Sequence, residues 1–234
     1  MKKSMRWWHW SAIAVVVSLL AAFVGLSYLT GGPRNVYGFL RYGLPNWHRG
    51  DLKVGDRAPD AQLVALDGQT TFHLRDRIGG KPLVLIFGSF TCPPFRRNTG
   101  DIGKLYEDYR DHARFLQVYI REAHPQDEWQ MASNRRDNVL YTQPQTRAER
   151  IAIANEYIKR MHVSLPFAID NMNNSVNLLY AAWPERIYII DDQGQIVYRG
   201  ALGPFGYHPE EARAWLAAHL DAAGSAAKSA KLQP

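Results

Sequence analysis

Leu83-Val84-Leu85-Ile86-Phe87-Gly88-Ser89-Phe90-Thr91-Cys92-Pro93-Pro94-Phe95 decides how this chain is read. The apolar run from Pro82 to Phe87 is short and uninterrupted, the pattern of a strand buried on both faces. Helical spacing follows from Pro94 to Tyr109, so the strand passes through a tight turn into a helix. Cys92, the single cysteine among 234 residues, stands at that junction. Unpaired backbone N–H groups and the helix dipole favour an anion there. Such a setting lowers a thiol pKa and makes the thiolate available near neutral pH. The alternative is a small buried core residue. The Thr91-Cys92-Pro93-Pro94 stretch is a turn, where core cysteines seldom sit, so the nucleophilic reading is preferred. With no second cysteine, no intrachain disulfide forms and the compartment is not legible from disulfide usage. An oxidised Cys92 must be resolved by another molecule.

Outward from this stretch the pattern alternates between strand and helix. Ala61 to Leu66 reads as a short strand closed by the turn Asp67-Gly68. Phe115 to Ile120 is a second buried strand, with Val118 and Ile120 alternating with polar neighbours. Residues 146 to 161 form a long helix, Phe167 to Asp170 a short strand, and Val176 to Ala182 a helical turn or two. Arg186 to Ile190 is a strand joined through Asp191-Asp192-Gln193-Gly194 to Ile196 to Arg199. Pro209 to Leu220 closes the chain's folded part as an amphipathic helix opened by Pro-Glu-Glu. Strands interleaved with helices and ended by a hairpin and a helix predict an α/β, thioredoxin-type layered sheet. Hydrophobic residues at 46% and charged residues at 21% are enough for a sizeable core. The formal charge of +6 is spread thinly, without a Lys/Arg run, and implies no nucleic-acid partner. His9, His48, His73, His112, His162, His208 and His219 show no zinc-ligand spacing, and no metal is expected.

The N-terminus has a different character. Residues 1–10 are basic, and residues 11–29 carry no charge over a length that just crosses a bilayer core. Trp7, Trp8 and Trp10 at one end and Tyr28 at the other suit interfacial anchors. A cleaved signal peptide is the alternative, but Thr30-Gly31-Gly32-Pro33 matches a cleavage site poorly. The predicted organisation is a single transmembrane anchor over 11–30, a juxtamembrane linker over 31–53, one domain over 54–222 and a flexible tail over 223–234. Lys2, Lys3 and Arg6 before the span are nearly balanced by Arg34, Arg41 and Arg49 after it. The short basic N-terminus favours N-inside, with the domain on the extracytoplasmic side.

Three ordered blocks carry a resemblance. Lys81 to Ser89 with Thr91-Cys92-Pro93-Pro94-Phe95 is the first. Tyr119-Ile120-Arg121-Glu122-Ala123-His124 with Asp127 and Trp129 is the second. Leu179-Tyr180-Ala181-Ala182-Trp183-Pro184-Glu185-Arg186-Ile187-Tyr188 with Gly203-Pro204-Phe205-Gly206-Tyr207 is the third. Together they resemble the iodothyronine deiodinases, and Val54 to Asp60 resembles the start of peroxiredoxin-like thioredoxin folds. The blocks span residues 54 to about 220, and a single N-terminal membrane segment is also a family trait. The resemblance implies a thioredoxin-like (peroxiredoxin-like) central mixed sheet flanked by helices, and members that pair as homodimers. The chain departs from the family pattern at several points. Cys92 stands where animal members carry selenocysteine, and Phe90 where they often carry cysteine. Thr146 is nearest to their second histidine, and Leu202 occupies the place of a basic residue.

The resemblance further implies reductive dehalogenation of an iodinated or otherwise halogenated aromatic. A thiol reductant serves as co-substrate and no cofactor is bound. Cys92 would attack the halogen, with Ser89 and Thr91 donating hydroxyl hydrogen bonds to its thiolate. Sulfur in place of selenium implies slower turnover. Glu122 and His124, two residues apart at a strand end, would share a face and relay the proton to carbon, each shifting the other's pKa. Tyr119 lies on the opposite parity and reads either as core or as a weaker, supporting member of the site, and Trp129 as packing more than chemistry, with substrate contact its other reading. By analogy with thioredoxin folds, Pro184 would be a cis proline facing Cys92. Arg186 either pairs with Glu185 or another carboxylate, or binds a substrate carboxylate. A one-cysteine peroxiredoxin-like peroxidase and a non-catalytic binding module of the same fold are the competing readings.

Overall fold

The computed structural model describes residues 3–30, 32–48 and 50–221. Its first helix, α1 (Lys3–Thr30), contains the apolar window Trp7–Tyr28, 22 residues long, none of which is buried in the protein. That helix is long and apolar enough to cross a membrane. Seven strands follow in chain order: β1 (Gln62–Val64), β2 (Thr71–His73), β3 (Leu83–Gly88), β4 (Arg114–Tyr119), β5 (Phe167–Ile169), β6 (Arg186–Ile190) and β7 (Ile196–Arg199). They form one mixed sheet in the order β2-β1-β5-β4-β3-β6-β7. β3, β4 and β5 run parallel, while β6, β7, β1 and β2 pair antiparallel to their neighbours. The central strand β3 is buried along its whole length, which is why its sequence is apolar at every position up to Gly88.

The remaining helices are α2 (Pro33–Gly38), α3 (Leu44–Asn46), α4 (Pro93–Tyr109), α5 (Ala132–Arg136), α6 (Arg147–Met161), α7 (Ser175–Tyr180) and α8 (Pro209–Leu216). α4 turns Phe95, Thr99, Ile102 and Leu105 inward and packs against α6 and α8. α6 starts at Thr146, whose hydroxyl accepts from Glu149 N–H while Glu149 Oε2 accepts from Thr146 N–H, a reciprocal cap.

Three expectations change. The segment read as a linker over 31–53 is helical from Pro33 to Asn46, with a π-helical turn at Phe39–Gly43 joining α2 to α3. It docks on the domain: Trp129 fills the space beside Gly38 and Gly43, its ring meets Phe39 edge-on at 5.6 Å, and Arg121 Nη1 donates to Asn46 Oδ1 at 3.0 Å. Gly38 and Gly43 make the close approach possible, a reason for glycine that composition alone does not separate from linker flexibility. β2 and α5, absent from the sequence reading, are too short for periodicity to detect. The expected alternation in the second buried strand is also absent, because Gln117 is buried and donates to the Tyr157 hydroxyl at 3.0 Å. The tail predicted over 223–234 lies outside the described residues.

Candidate active site

Cys92 is the N-cap of α4, with Pro93 at the first helical position, so the strand-turn-helix reading holds. Its electrostatics are the reverse of the expectation. The thiol is 0% exposed and donates to Glu185 Oε2 at 2.6 Å. Burial, then the Glu185 carboxylate, push the Cys92 pKa well above 9.0, while the Phe95 N–H and the Arg96 charge pull the other way and lose. The helix N-terminus therefore acts on the sulfur as expected, but desolvation and a facing carboxylate outweigh it.

Glu185 follows Pro184, whose peptide bond to Trp183 is cis as expected. It is fully buried, and burial raises its carboxyl to about 7 against the opposing pull of the Cys92 hydrogen bond and Arg97. Among the described residues its Oε1 has no hydrogen-bond partner, and Gly203 lies so close that no β-carbon would fit. From the sequence, Glu185 reads only as a partner for Arg186. The available signal was an acid immediately after the proline predicted to face Cys92.

The second group sits in the loop after β4. Because β4 ends at Tyr119, strand alternation does not place Glu122 and His124 as predicted. Glu122 instead accepts from Thr91 N–H at 2.9 Å and Thr91 Oγ1–H at 2.6 Å through Oε2, and from the Tyr119 hydroxyl at 2.5 Å through Oε1. Burial raises the Glu122 pKa, and those three donors oppose the rise. Tyr119 is thus a member of the site despite its opposite parity, and its hydroxyl also accepts from Phe90 N–H. The hydroxyls of Thr91 and Ser89 do not serve the sulfur as predicted. Thr91 donates to Glu122 and accepts from His124 N–H, while Ser89 Oγ accepts from Ala123 N–H.

His124 is 8% exposed, and burial lowers its pKa to about 4. Its Nδ1–H points at the Trp129 carbonyl at 3.1 Å, and the Trp129 ring meets it edge-on at 4.5 Å. A neutral imidazole donating from Nδ1 leaves Nε2 as the exchanging nitrogen. The predicted mutual pKa effect of Glu122 and His124 is absent: burial, not Glu122, governs His124. Asn134, also unforeseen, ties the site together. Its Nδ2 donates to the carbonyls of Thr91 and His124 at 2.8 and 3.1 Å, and its Oδ1 accepts from Arg96 at 2.8 Å. Arg186, at the start of β6, is turned into the core. It is 2% exposed, with Nη1 donating to the Tyr188 hydroxyl and the Tyr180 carbonyl, while Glu185 turns to Cys92. Thr146, in place of the second histidine, spends its side chain on the α6 cap. Among the described residues no group of three or more His, Cys, Asp or Glu side chains is placed to hold a metal.

The iodothyronine deiodinase family model matches residues 47–220. The type I iodothyronine deiodinase of Xenopus laevis is 40% identical over 159 residues, covering 68% of this chain and 60% of that protein. The thyroxine 5-deiodinase of Gallus gallus is 37% identical over 166 residues, covering 70% of this chain and 62% of that protein. The chain therefore spans about three fifths of the length of these relatives. Among solved structures, an uncharacterised conserved protein from Geobacillus kaustophilus superposes with a TM-score of 0.55 at 19% identity, covering 74% of this chain and 84% of that one. A domain of a possible thiol-disulfide isomerase from Cytophaga hutchinsonii gives 0.51 at 14% identity, covering 74% and 97%. With the sheet order above, these likenesses establish a thioredoxin-like fold.

Proposed function

Because the chain belongs to the iodothyronine deiodinase family, we propose that it is an oxidoreductase that removes iodine reductively from an iodinated aromatic, using external thiols as reductant. The observation that carries this reading is the convergence of Cys92, at the β3–α4 junction, with the buried Tyr119–Glu122–Thr91 chain and His124. The Cys92 sulfur attacks iodine, an S–I bond forms, and the C–I bond breaks with its electron pair left on the ring carbon. That carbon takes a proton and is reduced, while Cys92 becomes a sulfenyl iodide. A thiol then displaces iodide to give a mixed disulfide, and a second thiol releases the disulfide and restores Cys92. Glu122 and His124 supply and pass the proton for carbon, Glu122 through its donors Tyr119 and Thr91. His124 is neutral near pH 7, so Nε2 receives a proton before giving one. Trp129 orients His124 rather than touching substrate. We further propose that α1 anchors the protein in a membrane as a single span, with the domain on the extracytoplasmic side.

The test is iodide release from iodothyronines and iodotyrosines with excess dithiol, against Cys92→Ala. Release that is lost in the variant supports the reading. No release, together with rapid Cys92-dependent consumption of peroxide, replaces it with a thiol peroxidase.

A further inference from the structure

Cys92 carries a proton that must leave before sulfur can attack, and the groups assigned to the ring carbon are not bonded to it. Glu122 is occupied by Thr91 and Tyr119, and the His124 Nδ1–H is directed at the Trp129 carbonyl. We propose that Glu185 is the proton acceptor for Cys92: Oε2 takes the thiol proton as sulfur attacks the halogen, and returns it when the reductant thiol expels the Cys92 thiolate from the mixed disulfide. This deepens the deiodination reading and rests on it for the substrate step.

The geometry separates two carboxyl groups by task. The Sγ–Oε2 contact is 2.6 Å, and both residues are wholly buried. Oε1 of Glu185 has no partner, so the Cys92 thiol is the one hydrogen-bond donor the described structure gives this carboxylate. A buried carboxylate with one donor has its charge tied to that donor's proton. Glu122 contrasts with it by holding three hydrogen bonds, none from sulfur. Gly203, in the loop after β7, closes over the Glu185 carboxyl with no room for a β-carbon. Among the described residues, the other charged or titratable groups facing the pair are Arg96 and Arg97 from α4, and Tyr207, whose buried hydroxyl lacks a partner. None of the three is a base at neutral pH: the arginines are cations, and burial holds the Tyr207 phenol well above its ordinary range.

Atoms and electrons balance over the cycle. The thiol and the aryl iodide become a sulfenyl iodide and an aryl carbanion that is protonated from the Glu122 side, with the thiol proton parked on Glu185. Two reductant thiols become a disulfide and give up two protons: one restores the Glu122 side, the other leaves with iodide, and the parked proton returns to sulfur.

The experiment measures alkylation of Cys92 by iodoacetamide against pH, together with iodide release, on the full chain in detergent. The proteins compared are wild type, Glu185→Gln and Glu185→Asp. Two coupled groups lose their protons in two macroscopic steps. Wild-type alkylation is expected to rise in two steps, the first near pH 7. In Glu185→Gln the step near 7 vanishes and the remaining thiol step moves to lower pH, because a facing carboxylate no longer opposes the thiolate. Iodide release moves the other way, falling about 10²-fold and losing its acidic limb, as loss of a general base requires. Glu185→Asp recovers part of the release and restores the two-step profile. A structural role alone would slow both reactions and leave the step near 7 in place, and that result would overturn the proposal. So would unchanged iodide release in Glu185→Gln. If wild type releases no iodide, the functional reading fails by itself. The alkylation profiles then still decide the proton coupling: loss of the first step upholds it and retention refutes it.

Discussion

Tyr119→Phe removes one oxygen and strands two buried groups. In the native protein that hydroxyl donates to Glu122 Oε1 at 2.5 Å and accepts from Phe90 N–H at 3.0 Å, and all three residues lie in the core. A buried N–H left unpaired costs about 1–3 kcal/mol, and a lost hydrogen bond to a charged acceptor about 1.5–3 kcal/mol. The two share one partner, so the expected loss is about 3 kcal/mol near pH 8. The loss depends on pH in a determined direction. Burial already raises the Glu122 pKa above its ordinary 4.5, and removing a donor to the carboxylate raises it further. A group whose folded pKa exceeds its unfolded value keeps a proton that the unfolded chain has released, so stability falls as pH climbs through that window. The variant therefore deviates least at pH 4, where Glu122 is protonated in both states, and most at pH 8. Denaturant unfolding at pH 4, 6 and 8, with constant slope m as the check on cooperativity, measures the difference. A loss that is the same at all three pH values, or below about 0.5 kcal/mol at pH 8, would refute the view of Tyr119 as the donor that keeps Glu122 ionisable.

His124 gives an acid-side counterpart. Its folded pKa of about 4 lies below the ordinary 6.5, so the unfolded chain binds the extra proton and stability falls as pH drops from 6.5 towards 4. That gap corresponds to about 3 kcal/mol, and His124→Gln should flatten the acid limb by this order in unfolding measured across that range. Gly43→Ala would place a methyl 2.7 Å from Trp129 Cζ3, so the juxtamembrane helix must shift off the domain. Protease cleavage between residues 33 and 48 should accelerate several-fold in Gly43→Ala, and unchanged cleavage would mean the docking tolerates it. Thr146→Ala should cost about 1 kcal/mol in denaturant stability by removing the α6 cap, with little effect on iodide release. A large loss of release at unchanged stability would instead give Thr146 a place at the substrate.

Much of the architecture was legible because it is written locally. A uniformly apolar run ending in Gly88, then a turn with Pro93 at the first helical position, reads as β3 and α4 without tertiary information. The Asp191-Asp192-Gln193-Gly194 turn and the cis proline at 184 were likewise accessible, the first from turn chemistry and the second by analogy. The site was legible as a roster: Cys92, Glu122, His124, Thr91, Ser89 and Tyr119 all lie in or beside it. Their roles were not. Strand parity does not reach Glu122 and His124 because β4 stops at Tyr119, and in a loop the side-chain direction is set by partners rather than by a period.

The sequence by itself determined the strand-to-helix placement of the single cysteine, the apolar N-terminal helix and the family blocks, because each depends on neighbours within a few residues. Tertiary structure decided the state of the sulfur. Glu185, 93 positions further along the chain, meets Cys92 across the fold and, with burial, reverses the pKa shift the helix N-terminus would give. It also decided that glycines of the presumed linker are contacts for Trp129. Both outcomes arise from desolvation and through-space approach, which depend on what the fold brings together rather than on what stands next in the chain.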